Sequence, residues 1–289
     1  MLTNNNILIT GANGQLGSEL RNLESSFPQF HFIFTDVNEL DILQSAKVEN
    51  FVKQNNISYI INCAAYTAVD KAETDQELAH QLNAIGPLNL SLAATNNNAV
   101  LFQISTDFVF DGSNNVPYTE EDKTAPLGVY GASKLQGEKN LLENAQKSYI
   151  VRTSWLYSNY GNNFMKTMIR LGNEKEELGV IFDQTGTPTY AADLASALMQ
   201  MLVGNSKGAE KYGIYHYSNE GVASWYDFTK AIHEIWGITC KVKPIKTKDF
   251  PTPAKRPHYS VMDKTKIKEH FFIEIPHWRE ALLRCYSKK

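Results

Sequence analysis

Short apolar runs alternate with longer amphipathic stretches along the first half of the chain. The apolar runs at 7–9, 32–35, 59–63, 99–104 and 149–152 predict buried strands, because each is short and bounded by glycine or polar residues. The stretches between them have the spacing of helices. This strand-helix alternation predicts an α/β fold with a Rossmann-type, doubly wound parallel sheet.

The alternation weakens beyond Trp155. A helix is predicted to begin near Asn163 and to end near Gly172, residues 180–183 predict a strand, and residues 191–202 predict an apolar helix. We therefore predict two lobes that share a cleft. The predicted dinucleotide-binding lobe spans 1–155 with 190–204 returning to it, and the predicted smaller, substrate-binding lobe spans 156–189 and 205–289.

Composition narrows the classes of function. The chain has 289 residues, 43% of them hydrophobic, which is enough for a large core. A formal net charge of -3 without a basic block argues against nucleic acid as a partner. Three scattered cysteines and seven dispersed histidines lack the spacing of metal ligands, so no protein-bound catalytic metal is predicted.

Targeting signals are not evident in the sequence. The segment 1–6 has no basic region before its short apolar run, and no stretch approaches the roughly 18 apolar residues of a membrane span. We therefore predict a cytoplasmic protein with reduced thiols and no membrane partner.

A glycine-rich turn follows the first predicted strand directly and opens a helix. Glycine at the first, fourth and seventh positions of this turn permits a tight bend and a close approach of the backbone to a pyrophosphate. The following helix N-terminus then offers free N–H groups to the phosphates. The predicted cofactor contacts in this turn are Gly11, Asn13, Gly14, Gln15, Leu16 and Gly17.

Three further segments are predicted to hold the cofactor. Asp36 ends the second strand, where a carboxylate can accept the ribose hydroxyls of NAD, although an ordinary turn residue is the alternative. No arginine follows it closely to meet a 2′-phosphate, so NADH is predicted to be usable. Asp41 and Ile42 are placed to flank the adenine. The small residues after the third strand let a cofactor lie on the backbone, and the predicted contacts there are Ala64, Ala65, Tyr66 and Thr67.

Candidate catalytic chemistry lies between Ser105 and Lys134. Thr106 follows a buried strand, and ligands bind at the carboxyl ends of such strands. Tyr130 and Lys134 are four residues apart, so they share one helix face. An ammonium beside the phenol is expected to lower the tyrosine pKa from about 10 toward the working pH. A surface helix face without catalytic function is the alternative for this pair.

Two residues are predicted to lie on the substrate side. Trp155 follows the fifth strand, so a substrate wall is favoured over a core position. Arg256 lies in a proline-rich segment, 250–257, that cannot be regular helix. An arginine held in such a loop can clamp a phosphate with two N–H groups, whereas an exposed, solvated arginine is the alternative.

These motifs together resemble the extended short-chain dehydrogenase/reductase superfamily. Four further segments are similar to the dTDP-4-dehydrorhamnose reductase family and occur in that family's order: 62–73, 105–112, 152–155 and 251–257. The resemblance covers nearly the whole chain.

The resemblance implies an activity and roles for individual residues. It implies NADPH- or NADH-dependent reduction of the C4 ketone of dTDP-4-dehydro-L-rhamnose to dTDP-L-rhamnose, a precursor of cell-surface polysaccharide. By the same resemblance Tyr130 is the proton donor, Lys134 tunes it and holds the nicotinamide ribose, and Thr106 orients the substrate. The implied nucleotide-sugar contacts are Thr106, Asp107, Trp155, Asn163 and Arg256.

The family is also linked with Mg²⁺ and with homodimers, through glutamates at an interface. Glu19 matches one of these glutamates, whereas Ala192 and Asp193 depart from the second. Related dehydratases carry a second carboxylate after the aspartate, and Phe108 stands at that position here. The alternatives are another nucleotide-sugar reductase or epimerase, and a catalytically silent nucleotide-binding subunit of the methionine adenosyltransferase type. Intact Thr106, Tyr130 and Lys134 argue against the silent subunit.

Overall fold

Strands and helices alternate along residues 5–288, the part of the chain that the computed structural model describes. The strands are β1 (Asn6–Thr10), β2 (His31–Phe34), β3 (Ile57–Asn62), β4 (Val100–Thr106), β5 (Ser148–Thr153), β6 (Leu156–Tyr157), β7 (Glu177–Ile181), β8 (Thr185–Gly186), β9 (Thr189–Tyr190), β10 (Gly213–His216), β11 (Ala223–Ser224) and β12 (Lys241–Ile245). The α-helices are α1 (Gln15–Leu23), α2 (Ser45–Gln54), α3 (Val69–Ala72), α4 (Gln76–His80), α5 (Gly86–Asn96), α6 (Val129–Asn144), α7 (Phe164–Glu174), α8 (Ala191–Ser206), α9 (Trp225–Trp236), α10 (Thr265–Phe271) and α11 (Trp278–Ser287). The first four residues of the chain, part of the segment used to predict the lack of a targeting signal, lie outside the described residues.

A six-stranded sheet forms the centre of the fold, in the order β10-β5-β4-β3-β1-β2. Every pair of neighbours in it is parallel. Consecutive strands therefore need crossover connections, which the helices supply. The predicted Rossmann-type, doubly wound sheet is confirmed.

Apolar side chains cover both faces of this sheet, which explains why its strands are apolar throughout rather than alternating. On one face, α1 and α8 pack against β1 and β4, with Leu20 and Leu198 in the core. On the other face, α2, α5 and α6 contribute Val48, Leu90 and Leu141. The chain thus returns to the sheet through α8 after its first excursion.

A second core of aromatic and sulfur-containing side chains lies C-terminal to β5. It includes Tyr157, Tyr190, Phe228 and Trp278, packed among α7, α9 and α11. Two-stranded ladders accompany it, namely parallel β7–β12, antiparallel β8–β11 and parallel β6–β9. The division into two lobes at the predicted boundaries stays our proposal.

One predicted strand differs in its bounds. Residues 180–183 were expected to form it, whereas β7 begins at Glu177 and ends at Ile181. The ladder ends because Asp183 turns away to accept hydrogen bonds from the backbone N–H (2.8 Å) and the hydroxyl (2.7 Å) of Thr247. Among residues 5–288 no helix is long and apolar enough to cross a membrane.

Candidate active site

A cavity of about 860 Å³ opens at the carboxyl ends of β1, β3, β4 and β5. Parallel strands end at one edge of the sheet, so residues far apart in sequence meet there. Residues from the segments 161–184 and 225–256 close the other side. The predicted site residues that line the cavity are Gly11, Gly14, Gln15, Leu16, Ala64, Ala65, Thr67, Thr106, Asp107, Tyr130, Lys134, Trp155, Asn163 and Arg256.

The glycine-rich turn has the geometry that a pyrophosphate requires. Gly11 has a φ of +61°, and a Cβ on it would lie 2.6 Å from the backbone nitrogen of Ala64. Gly14 caps α1 without any side-chain hydrogen bond, so the first N–H groups of the helix stay free to bind an anion. A Cβ on Gly17 would lie 2.5 Å from the Cα of Ala12, so this glycine packs α1 closely against the turn. These residues fit a dinucleotide cofactor.

Six predicted cofactor residues do not lie on the cavity wall: Asn13, Gly17, Asp36, Asp41, Ile42 and Tyr66. Asp36 instead accepts a hydrogen bond from the backbone N–H of Asn13 at 3.1 Å and so supports the glycine turn from behind. Ile42 is buried against Gly86, and the Tyr66 hydroxyl donates to Asp75 at 3.0 Å. Their roles toward the cofactor stay predictions.

Tyr130 lies in the first turn of α6, and Lys134 lies one turn further on the same face. Glu73 fixes the start of this helix by accepting a hydrogen bond from the backbone N–H of Val129 at 2.9 Å. The Lys134 ammonium is buried and donates to the carbonyl oxygen of Ile104 at 2.6 Å. The helix therefore brings the phenol and the ammonium to the end of β4.

The expected effect of Lys134 on the Tyr130 phenol is wrong in this structure. Burial raises the pKa of Tyr130 to about 12, with the negative charge of Asp107 adding to the rise and a hydrogen bond from Thr106 opposing it. Removing water penalises the phenolate more than the surrounding groups stabilise it. Lys134 is itself anchored on the Ile104 carbonyl, and burial lowers its own pKa to about 8 against the opposing charges of Glu138 and Cys63.

Thr106 connects the phenol to a buried carboxylate. Its hydroxyl donates to Asp107 at 3.1 Å and accepts from the backbone N–H of Phe108 at 3.2 Å. The same hydroxyl also forms a hydrogen bond with the Tyr130 phenol, and this hydrogen bond favours the phenolate. Burial raises the pKa of Asp107 to about 6, so the carboxyl is still largely ionised at neutral pH.

Two tryptophans form a wall of the cavity. Trp155 has a φ of +48°, uncommon for a bulky residue, and its ring stacks on Trp225 with centroids 3.5 Å apart. Trp225 donates from its indole nitrogen to Gln184 at 3.2 Å. The position of Trp155 after β5 suggested a wall, but the sequence contains no local signal that Trp225 would be its partner.

Asn163 and Arg256 reach the cavity from segments C-terminal to β5. Asn163 caps α7 by accepting from the backbone N–H of Lys166 (3.0 Å), and its amide donates to the side chain of Gln15 (2.9 Å). Arg256 binds Asp70 through two parallel hydrogen bonds of 3.0 and 2.7 Å. Asp70 lines the cavity as well and was not predicted as a site residue.

The candidate metal ligands do not fit a cation. Both oxygens of Asp193 bind the guanidinium of Arg284 at 2.7 Å, and one of them also accepts from Asn219. Glu19 is buried, and burial raises the pKa of its carboxyl. Within residues 5–288 no group of three or more histidine, cysteine, aspartate or glutamate side chains is arranged to hold a metal. We therefore derive no metal-dependent step.

Comparison with known proteins identifies the relatives of the chain. The family model described as "RmlD substrate binding domain" matches residues 5–289. A dTDP-4-dehydrorhamnose reductase of Aggregatibacter actinomycetemcomitans is 42% identical and aligns over 98% of this chain and 99% of its own.

Two solved structures of the same kind of enzyme superpose over almost the full length. One, from Clostridium acetobutylicum, has a TM-score of 0.93 at 44% identity and covers 98% of this chain and 99% of its own. The other, from Bacillus anthracis in complex with NADP, has a TM-score of 0.93 at 41% identity and covers 99% of this chain and 100% of its own. The similarity therefore extends over nearly the whole chain.

Proposed function

Because the chain belongs to the dTDP-4-dehydrorhamnose reductase family, we propose that it reduces the C4 ketone of dTDP-4-dehydro-L-rhamnose to give dTDP-L-rhamnose. It is an oxidoreductase that uses NADPH or NADH, and its product is a precursor of cell-surface polysaccharide. The same proposal assigns it to the cytoplasm. A homodimer stays a prediction from the sequence.

One observation carries the proposal. A glycine turn that fits a dinucleotide and the Thr106, Tyr130 and Lys134 side chains line the same cavity, although they come from three different segments of the chain. A carbonyl placed beside Tyr130 would therefore meet both a hydride donor and a proton donor. This arrangement favours reduction over dehydration, since dehydration needs a second acidic side chain and Phe108 follows Asp107 here.

The protein contributes orientation and a proton. When bound, the reduced nicotinamide supplies the hydride that adds to C4. We assign to Tyr130 the transfer of its phenolic proton to the C4 oxygen, and to Thr106 a hydrogen bond that orients this oxygen. A pKa of about 12 keeps Tyr130 protonated at neutral pH, as an acid must be before the step. We assign to the Lys134 ammonium the nicotinamide ribose, as the family resemblance implies.

The substrate side of the cavity suits a nucleotide sugar. We assign the sugar to Thr106, Asp107 and the Trp155 wall, and the diphosphate to Arg256 with Asn163 nearby. The stacked Trp155 and Trp225 rings present a flat apolar surface, while Arg256 offers N–H donors.

The test is cofactor oxidation followed at 340 nm with purified protein and dTDP-4-dehydro-L-rhamnose. We expect consumption of NADPH or NADH that depends on the sugar and yields dTDP-L-rhamnose by chromatography. Cofactor binding without consumption would contradict the reductase and favour a silent binding subunit. Interconversion of sugar epimers without net oxidation would favour an epimerase.

The pKa of Lys134 predicts how activity depends on pH. Burial lowers this pKa to about 8, so the ammonium loses its proton as the pH rises through about 8, whereas an exposed lysine would keep it. We expect kcat/KM to fall with an apparent pKa near 8 on the alkaline side, while Tyr130 remains protonated. The measurement is a pH profile from about pH 6 to 10, with return to pH 7 as the control for denaturation. A flat profile up to pH 10 would show that the charge of Lys134 is not needed.

A further inference from the structure

Asp70 and Arg256 form an ion pair across the cavity mouth, between residues 186 positions apart. Asp70 lies in the short helix α3 of the first lobe, and Arg256 lies in the proline-rich segment 250–257 of the second. Both residues line the cavity, as does Thr252. The ion pair therefore joins α3 to the segment 250–257 where both line the cavity.

The hydrogen bonds of Arg256 orient its guanidinium. Nη1 and Nη2 donate to the two Asp70 oxygens at 3.0 and 2.7 Å. Nη1 also donates to the Thr252 hydroxyl at 2.6 Å. Asp70 further accepts from the backbone N–H of Ala254 at 3.3 Å, so it holds the segment as well as the side chain. The strong pairing lowers the pKa of Asp70, which keeps this carboxyl ionised.

This arrangement leaves one edge of the guanidinium available. Arginine has five N–H donors in a rigid, planar fork. The contacts above use both hydrogens of Nη1 and one of Nη2, and the described residues make no hydrogen bond to Nε. The Nε–H and the remaining Nη2–H lie on one side of the fork, where they can bind two oxygens of a phosphate.

The charges that line the cavity explain why the pairing of Arg256 with Asp70 affects the binding of an anion. Four ionisable charged side chains line it, namely the carboxylates Asp70 and Asp107 and the cations Lys134 and Arg256. Lys134 is buried at the end of β4, bound to the Ile104 carbonyl. An isolated Asp70 would repel an anionic ligand, whereas an Asp70 neutralised by Arg256 does not.

We propose that Asp70 is a positioning residue that orients Arg256 so that its free edge binds the diphosphate of a nucleotide sugar. The proposal rests on the proposed function, since that function supplies the ligand. It adds to that function a role for the segment 69–73, of which Glu73 already caps the helix that carries Tyr130.

The test uses dTDP as the probe and isothermal titration calorimetry as the readout. We expect Asp70→Asn to weaken dTDP binding roughly tenfold and Arg256→Ala roughly a hundredfold. The double variant should bind no more weakly than Arg256→Ala alone, because Asp70 acts through Arg256. In the enzymatic assay the loss in Asp70→Asn should appear chiefly as a higher KM for the sugar, and the affinity for NADPH should stay within about twofold of wild type.

A matched control is Asp75→Asn. Asp75 is the neighbouring ion-paired carboxylate, bound to Lys71 at 3.1 Å, and it does not line the cavity. The Asp75→Asn variant should therefore bind dTDP with wild-type affinity. Thermal melting of each variant separates misfolding from loss of orientation. Thr252→Val removes the second support of Arg256 together with the hydrogen bond from the Thr252 hydroxyl to the Ala254 carbonyl (3.0 Å), and it should weaken dTDP binding about threefold.

Several outcomes would overturn the proposal. Unchanged dTDP affinity in Asp70→Asn would do so. The proposal would also fail if Asp70→Asn weakened dTDP binding by the same factor in the Arg256→Ala protein as in wild type, because Asp70 would then act only on the loop. Turnover of the sugar without measurable dTDP binding would also overturn it. If dTDP binds with the expected coupling but the sugar causes no cofactor oxidation, the positioning role stands and the reductase function fails.

Discussion

Replacement of Tyr130 by phenylalanine is expected to lower kcat roughly 10²- to 10⁴-fold, the usual contribution of a positioned general acid. The change removes one hydroxyl from a buried side chain and leaves its ring, which contacts Phe108 edge-on, in place. The phenolic proton is lost with the hydroxyl, so the C4 oxygen must take its proton from a less suitable donor. The cavity keeps its shape, so KM for the sugar and affinity for NADPH should change little.

Steady-state cofactor oxidation at saturating sugar measures this effect. Tyr212→Phe is the matched control, because it removes a phenol hydroxyl from a tyrosine outside the cavity wall. It should keep the wild-type rate. A Tyr130→Phe protein that retains more than about a third of wild-type kcat would assign the proton to another donor, with Asp107 through Thr106 as the next candidate.

Local spacing was enough to predict the parts of the site that lie close together in sequence. The glycine turn from Gly11 to Gly17 and the Tyr130–Lys134 pair depend on one turn and one helix, whose geometry short-range rules describe. The parallel, doubly wound sheet also followed from the alternation of apolar runs and helical stretches, and with it the carboxyl edge at which the strands end. These features need no knowledge of distant contacts.

Long-range contacts could not be predicted in this way. The stacking of Trp155 on Trp225 and the pairing of Asp70 with Arg256 join segments that are far apart in sequence and become neighbours only in the folded chain. The predicted direction of the Tyr130 pKa shift was wrong for a related reason. A nearby lysine can be inferred from sequence, but desolvation depends on everything that encloses the phenol, and here desolvation is the larger effect.

Loss of the Glu138 charge is expected to lower the free energy of unfolding by about 3–5 kcal/mol. Removal of one partner from a buried ion pair usually has an effect of this size. Glu138 lies one turn beyond Lys134 on α6 and is 1% exposed, while its partner Arg152 on β5 is 2% exposed. Arg152 donates to both Glu138 oxygens at 2.9 and 2.7 Å, and Ser105 adds a third donor at 2.5 Å. Glu138→Gln would leave the guanidinium charge buried without a counter-charge.

A neutral histidine completes this buried network and cannot replace the lost charge. Burial and the Arg152 charge lower the pKa of His216 to about 3, so the ring is uncharged at neutral pH. Its Nε2 lies 3.4 Å from Arg152 and its Nδ1 lies 3.1 Å from the Tyr118 carbonyl, which fits a ring protonated on Nδ1. Arg152 would thus keep one neutral acceptor in the Glu138→Gln protein and still lack an anion.

Urea unfolding followed by circular dichroism measures the effect, with Glu174→Gln as the control. Glu174 also pairs with an arginine, at 2.8 Å, but both side chains are more than half exposed, so water screens the pair and its loss should leave the midpoint unchanged. The double variant Glu138→Gln, Arg152→Met should recover part of the stability that either single change loses, because no unpaired charge remains. A Glu138→Gln protein as stable as wild type would mean that water or a shifted side chain solvates Arg152, and that the network beside Lys134 is less enclosed than its contacts indicate.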